Sequence, residues 1–251
     1  METKVKVSLG VTAAFLIFIG GELAWIHHKN NEEMPVAKNP YADVKVDPDD
    51  NVFLRKEHPD SIKDEKSLIG KTLWVSAAAQ MDYYHYANHR ADYAHPVGTL
   101  PGAVPLVVTG VFEQVPPKTG RPVMRISAGQ RHVLLSFTLP GSSDPKAEYA
   151  VPVGHYDTDG YSFLTDDIFF YDDPHKLYDF WGPEMWAHID KHEPAIGMSE
   201  NQAMLALGQV MVPHGDTMGD RSVTYDNNGQ PITMVFEHGK AVSITHEKPT
   251  S

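Results

Sequence analysis

The apolar run from Val7 to Ile26, interrupted only by small residues and Glu22, constrains this chain more than any other feature. Twenty helical residues rise about 30 Å, the thickness of a bilayer's hydrocarbon core. Lys4 and Lys6 precede the run, which favours a cytoplasmic N-terminus and puts everything after Ile26 on the other side. Residues 1–26 therefore read as a transmembrane signal anchor. The chain reads as a single-pass inner-membrane protein with its C-terminal part in the periplasm. The competing reading is a cleaved signal peptide, with Val7–Gly20 as its apolar core and a secreted product. The run is longer than such a core needs.

Residues 27–66 carry many Asp, Glu, Lys, Asn and Pro and few large apolar side chains. Such a segment buries too little surface to fold alone, and it reads as a disordered acidic tether. The net charge of -12, with no compact basic stripe, speaks against nucleic acid as a partner. The absence of cysteine excludes disulfides, thiolate metal sites, a Cys nucleophile and an acylated Cys.

From residue 67 to 173 short strands follow one another. Thr72–Ser76, Pro105–Val115, Val133–Leu139, Tyr149–Val153 and Ile168–Tyr171 are rich in β-branched and aromatic residues. Pro116–Gly120, Gly141–Asp144 and Asp157–Gly160 punctuate them as turns. This pattern predicts a small antiparallel barrel or sandwich, with an SH3-like barrel fitting the size. Beyond Pro174 the period changes. Leu177, Phe180, Trp181, Met185, Trp186 and Ile189 recur at helical spacing, broken at Gly182-Pro183.

Ser199 and Gln202 form a capping box ahead of a short helix that Gly208 ends. Three strands follow, Ser222–Tyr225, Ile232–Phe236 and Ala241–Ile244, the first pair joined by Asp226-Asn227-Asn228-Gly229. Through Gly197-Met198-Ser199, Gln202, Leu207-Gly208, Tyr225, Phe236, Gly239 and Lys240, the last sixty or so residues resemble the BamE/OmlA (SmpA) family of outer-membrane assembly proteins. The resemblance implies a helix pair against a three-stranded antiparallel sheet over 174–251, and a protein partner in the cell envelope. The fold class is thus α+β: transmembrane helix, small β barrel or sandwich, then a BamE-like module.

Fourteen histidines raise the question of metal. His85 and His89, and again His188 and His192, stand four apart and would share helix faces, with His95 near the first pair. Neither pair carries the H-E-x-x-H pattern, so surface or core histidines are the simpler reading. Tyr83, Tyr84, Tyr86 and Tyr93 could line a sugar- or peptide-binding surface, or pack the barrel's edge. Asp166, Asp167, Asp172 and Asp173 bracket an apolar stretch and read as caps and solvated ends. No nucleophile elbow, phosphate loop or dinucleotide fingerprint occurs, and no cofactor is implied. The chain reads as a non-catalytic, membrane-anchored binding or scaffold protein. The alternatives are a zinc-dependent periplasmic enzyme built on the histidine pairs, and a peptidoglycan- or peptide-binding module.

Overall fold

The computed structural model describes residues 18–29, 48–117, 126 and 129–247. The chain divides into two units, Met1–Asp47 and Pro48–Ser251. In the first, residues 18–29 form a helix, α1, about 18 Å long. It contains Glu22 and ends in His27, His28 and Lys29, and the Lys29 ammonium lies 5.0 Å from the centre of the Trp25 ring. Among the described residues no helix is long and apolar enough to cross a membrane. That finding corrects the transmembrane anchor at 1–26 and, with it, the inner-membrane, single-pass placement. Residues 1–17 of the apolar run, and 30–47 of the expected tether, lie outside the described residues.

The second unit starts with the rest of that tether, and here it is a bound strap. After a 3-10 turn at Pro48–Asn51, Asp49 accepts hydrogen bonds from Trp181 Nε1 at 2.7 Å and Asn201 Nδ2 at 3.1 Å. Further along, the backbone N–H groups of Glu57 and His58 donate to Asp166 at 3.1 and 3.0 Å. The strap runs into α2, Ile62–Lys66, where Ser61 and Asp64 form a capping box. Glu65 of α2 is fully buried. The Thr165 hydroxyl donates to its Oε1, and its Oε2 meets no partner among the described residues.

Eight strands build the large sheet. They are β1 (Thr72–Val75), β2 (Asp82–Ala87), β3 (Arg90–Thr99), β4 (Pro105–Gln114), β5 (Arg131–Thr138), β6 (Glu148–Asp157), β7 (Gly160–Phe163) and β8 (Phe169–Phe170). Their order is β3-β2-β6-β5-β4-β1-β8, with β7 on β6, and every pairing is antiparallel. Strand β5 shows why the middle is buried on both sides. Val133, Leu135 and Phe137 enter the main core, while Leu134 joins a second cluster with Tyr84, Ala91 and Ala150. Alternate residues face opposite ways, so a strand apolar at both parities needs cover on both faces.

The small barrel or sandwich, SH3-like or otherwise, is therefore corrected to one large sheet with β3 and β8 as open ends. It curls nonetheless. The Gln114 side chain at the end of β4 accepts from Ala91 N at 2.8 Å and donates to Ala91 O at 2.9 Å. A single side-chain amide thus does, for one residue, what a ladder would do between β3 and β4.

Between β7 and β8 lies α3, Thr165–Ile168, so the strand expected from Ile168 shrinks to Phe169–Phe170. Asp173 caps α4, Pro174–Leu177, by accepting from His175 N at 3.1 Å. Helices α5 (Gly182–Asp190) and α6 (Glu200–Leu207) follow, the latter with both halves of the Ser199/Gln202 capping box in place. Ser199→Ala is expected to cost about 1 kcal/mol in urea unfolding, the usual worth of an N-cap. An unchanged midpoint would show that the cap is redundant.

The second sheet has four strands, not three: β9 (Val210–His214), β10 (Ser222–Tyr225), β11 (Ile232–Glu237) and β12 (Lys240–His246), in the order β12-β11-β10-β9. The additional strand is an edge, and it contains Pro213, a residue that sheets accept only where its missing N–H faces outward. One face of this sheet packs Val223, Tyr225, Ile232, Met234 and Phe236 against α5 and α6 through Trp186, Ile189 and Leu205. Glu200, at the start of α6, is buried and ion-paired: Arg221 Nη2 donates to Oε2 at 2.7 Å, Arg221 Nε to both carboxylate oxygens at 3.1 Å, and Gly219 N to Oε1 at 2.6 Å.

Candidate functional site

The histidines do not converge. His85 is exposed on β2, and His89 sits in the β2–β3 turn with φ of 59°. The helix face they were expected to share is absent because the segment is a hairpin. His188 lies in α5, but His192 lies past its end with φ of 57°, so that pair is also off one face. His95 turns to Asp92 at 2.9 Å. Among the described residues no group of three or more His, Asp or Glu side chains is placed to hold a metal ion.

The tyrosines are mostly packing. Tyr84 is buried and meets Tyr93 edge-on, with ring centres 4.8 Å apart. Tyr86 lies against Phe112 at 4.8 Å. The Tyr93 hydroxyl is 2.7 Å from Nδ1 of His132, which is 1% exposed. Burial pushes the His132 imidazole down to about 4 and the Tyr93 phenol above its usual range. The two groups therefore share a hydrogen bond between a neutral imidazole and a neutral phenol. These four rings do not form one exposed surface. The alternation of β2 turns Tyr83 to the main core and Tyr84 and Tyr86 to the opposite face, while the register shifts of the pairing place their extra residues on β3.

Tyr83 is the exception. It meets Tyr149 edge-on at 5.3 Å and lines a cleft where the β2–β3 hairpin faces the start of β9 and the end of β10. The cleft has a larger part of about 580 Å³ bounded by Asp82, Tyr83, Val97, Thr99, Asp226 and Asn228, among others. A smaller part of about 340 Å³ shares Asp82, Thr99 and Asp226 and continues to Val210 and Met211.

One buried side chain sets the spacing of its walls. Gln80 donates from Nε2 to Leu100 O at 2.7 Å and accepts from Gln209 N on Oε1 at 2.9 Å. It ties the end of β3 to the entry of β9. Gly208 has φ of 93°, and a Cβ there would stand 2.5 Å from Gln80 Oε1, so the close approach requires glycine. Asp226 is fixed by its N–H to Gln209 O at 3.1 Å and by Gly229 N donating to its Oδ2 at 3.3 Å. Asp82 accepts from the Thr99 hydroxyl at 3.2 Å. Met211 is the extra residue of a bulge opposite Thr224 and Tyr225, a feature that re-aims side chains beside functional sites.

Two carboxylates on a shared wall, with Tyr83, Val97 and Met211 beside them, can hold a cation carried on an apolar stem. That describes lysine and arginine side chains. In the sequence, Asp226 was legible only as a turn residue, and nothing singled out Asp82. No family model, curated protein or solved structure matches the chain.

Proposed function

We infer that the protein is a non-catalytic binding protein that holds a basic peptide segment of a partner protein in the cleft between its two sheets. The observation that carries this reading is the shared wall of Asp82 and Asp226 in a cleft of about 580 Å³ whose width a buried glutamine fixes. Fixed walls lower the ordering cost of binding. Carboxylates at the wall favour a basic partner and speed its encounter. The resemblance of the last sixty residues to the BamE family also points to a protein partner, and the fourth strand β9 is where that module contributes to the cleft.

The test is titration calorimetry of the full chain with two pentapeptides, Ala-Lys-Ala-Lys-Ala and Ala-Glu-Ala-Glu-Ala. The lysine peptide is expected to bind, more weakly as salt rises. Joint replacement Asp82→Asn and Asp226→Asn should weaken it about tenfold; asparagine can still accept from Thr99 and Gly229. Equal binding of the glutamate peptide, or an unchanged affinity in the double variant, would overturn the reading.

A further inference from the structure

Glu65 and Glu200 are the two buried carboxylates among the described residues, and they are built oppositely. Both oxygens of Glu200 accept hydrogen bonds from Arg221. Glu65 takes the Thr165 hydroxyl on Oε1 and has no partner for Oε2 among the described residues. The charges that act on it, Asp166 on α3 and Asp64 on its own helix, are both negative. Tyr171 is close enough to feel the charge of Glu65, but its hydroxyl donates to Asp166. The cations of the strap are engaged elsewhere: Arg55 with Glu57 and Asp172, Lys56 with Asp167, and His58 beside Asp166. Strand β4, packed against α2, brings Leu106 and Val108, which share an apolar cluster with Ile62. The site therefore suits the neutral acid and strands the carboxylate.

What carries Glu65 is a removable piece. Every strand of both sheets begins at residue 72 or later, so no ladder pair involves residues 48–66. The strap is held through side-chain carboxylates: Asp49 accepts from Trp181 and Asn201, and Asp166 accepts from the N–H groups of Glu57 and His58. Between these anchors Phe53 is 93% exposed and Leu54 42%, so the strap gains little from apolar burial. Helix α2 adds five residues, too few to persist once released. A segment with few buried apolar contacts and exposed hydrogen bonds opens at low cost. Opening this one carries the Glu65 carboxylate into water.

We propose that residues 48–66 form a latch, docked while Glu65 keeps its proton and released as a unit, with both sheets intact, when Glu65 ionises. Release exposes the Trp181 indole and the Asp166 carboxylate, which the docked strap occupies. The latch does not depend on what the cleft between the sheets binds. Hydrogen–deuterium exchange of the full chain at pH 5 and pH 8, corrected for the intrinsic pH dependence of exchange, tests it. Burial holds the Glu65 carboxyl at about 7 in the docked state, against an ordinary 4.5. The opening constant of the segment should therefore rise roughly 70-fold between those two pH values. Peptides spanning 48–58 and 59–68 should lose protection together by that factor, while those from β5 and β11 keep theirs. In Glu65→Gln the loss should disappear, which separates Glu65 from any effect of the exposed His58 beside Asp166. Unchanged protection of both peptides at pH 8 in the parent overturns the proposal, and so does loss in only one of them. An equal loss in Glu65→Gln would put the effect on another group. A parallel loss in β5 and β11 would mean that the whole unit unfolds, and either result overturns the latch.

Discussion

Arg221→Ala is expected to cost about 3–5 kcal/mol of folding free energy, a large part of the 5–15 kcal/mol typical of a domain. The side chain of Glu200 is only 5% exposed, and three of the four hydrogen bonds its carboxylate accepts come from the Arg221 guanidinium. Without arginine, the carboxylate stays in the protein interior with Gly219 N–H as its remaining donor from this network. The loss measures the cost of stranding that charge, which exceeds the net worth of the pair. Removing both charges, Glu200→Gln with Arg221→Met, should therefore cost much less than Arg221→Ala alone. Urea unfolding of the parent and the two variants checks this. A loss below about 1 kcal/mol for Arg221→Ala would mean that water reaches Glu200 freely.

The second large effect is a pH dependence. Burial pushes the Glu65 carboxyl up from 4.5 to about 7, against the hydrogen bond from Thr165, with the charges of Asp166 and Asp64 adding to the rise. A raised acid binds its proton more tightly in the folded state. Stability is thus full below pH 4.5, falls between 4.5 and 7, and stays low above that, with a total loss of about 3 kcal/mol. Glu65→Gln mimics the protonated form and keeps an oxygen for Thr165. It should be more stable than the parent by about 3 kcal/mol at pH 8 and by less than about 1 kcal/mol at pH 5. His132 has the opposite slope: its folded value is depressed to about 4, so its contribution is lost as pH falls from 6.5 toward 4. Comparing variant with parent at each pH cancels that term. Equal stability of the two proteins at pH 8 would show that Glu65 is already neutralised or hydrated there.

Where local chemistry decides an element, the sequence was a good guide. The Ser199/Gln202 box, the Asp173 cap and the hairpin at Asp226–Gly229 are short-range signals, and the elements they delimit are present. The strand expected at Pro105–Val115 from its β-branched residues was also legible, and it runs over Pro105–Gln114. The hairpin β2–β3 was not, because its bulges disrupt the period of two and its histidines at spacing four imitate a helix. The strap was missed for another reason. Polar composition reports that a segment cannot build its own core, but not that Asp49 and Asp166 have partners more than a hundred residues away. The same holds for the cleft: Asp82 and Asp226 line one wall where Gln80 ties Leu100 to Gln209, a long-range relation with no spacing signature.

The amide of Gln114 that joins β3 to β4 separates two properties that sheets normally couple. In a ladder, inserting or deleting one residue shifts every pairing beyond it and turns each side chain to the opposite face. A clamp made by one side chain transmits no such shift. The curl of the sheet is held at Ala91, yet β3 takes its register from its ladder with β2 and none from β4. A register shift between β2 and β3 therefore need not travel into β4, while Tyr93 on His132, Thr99 on Asp82 and Leu100 on Gln80 keep the hairpin that walls the cleft in place.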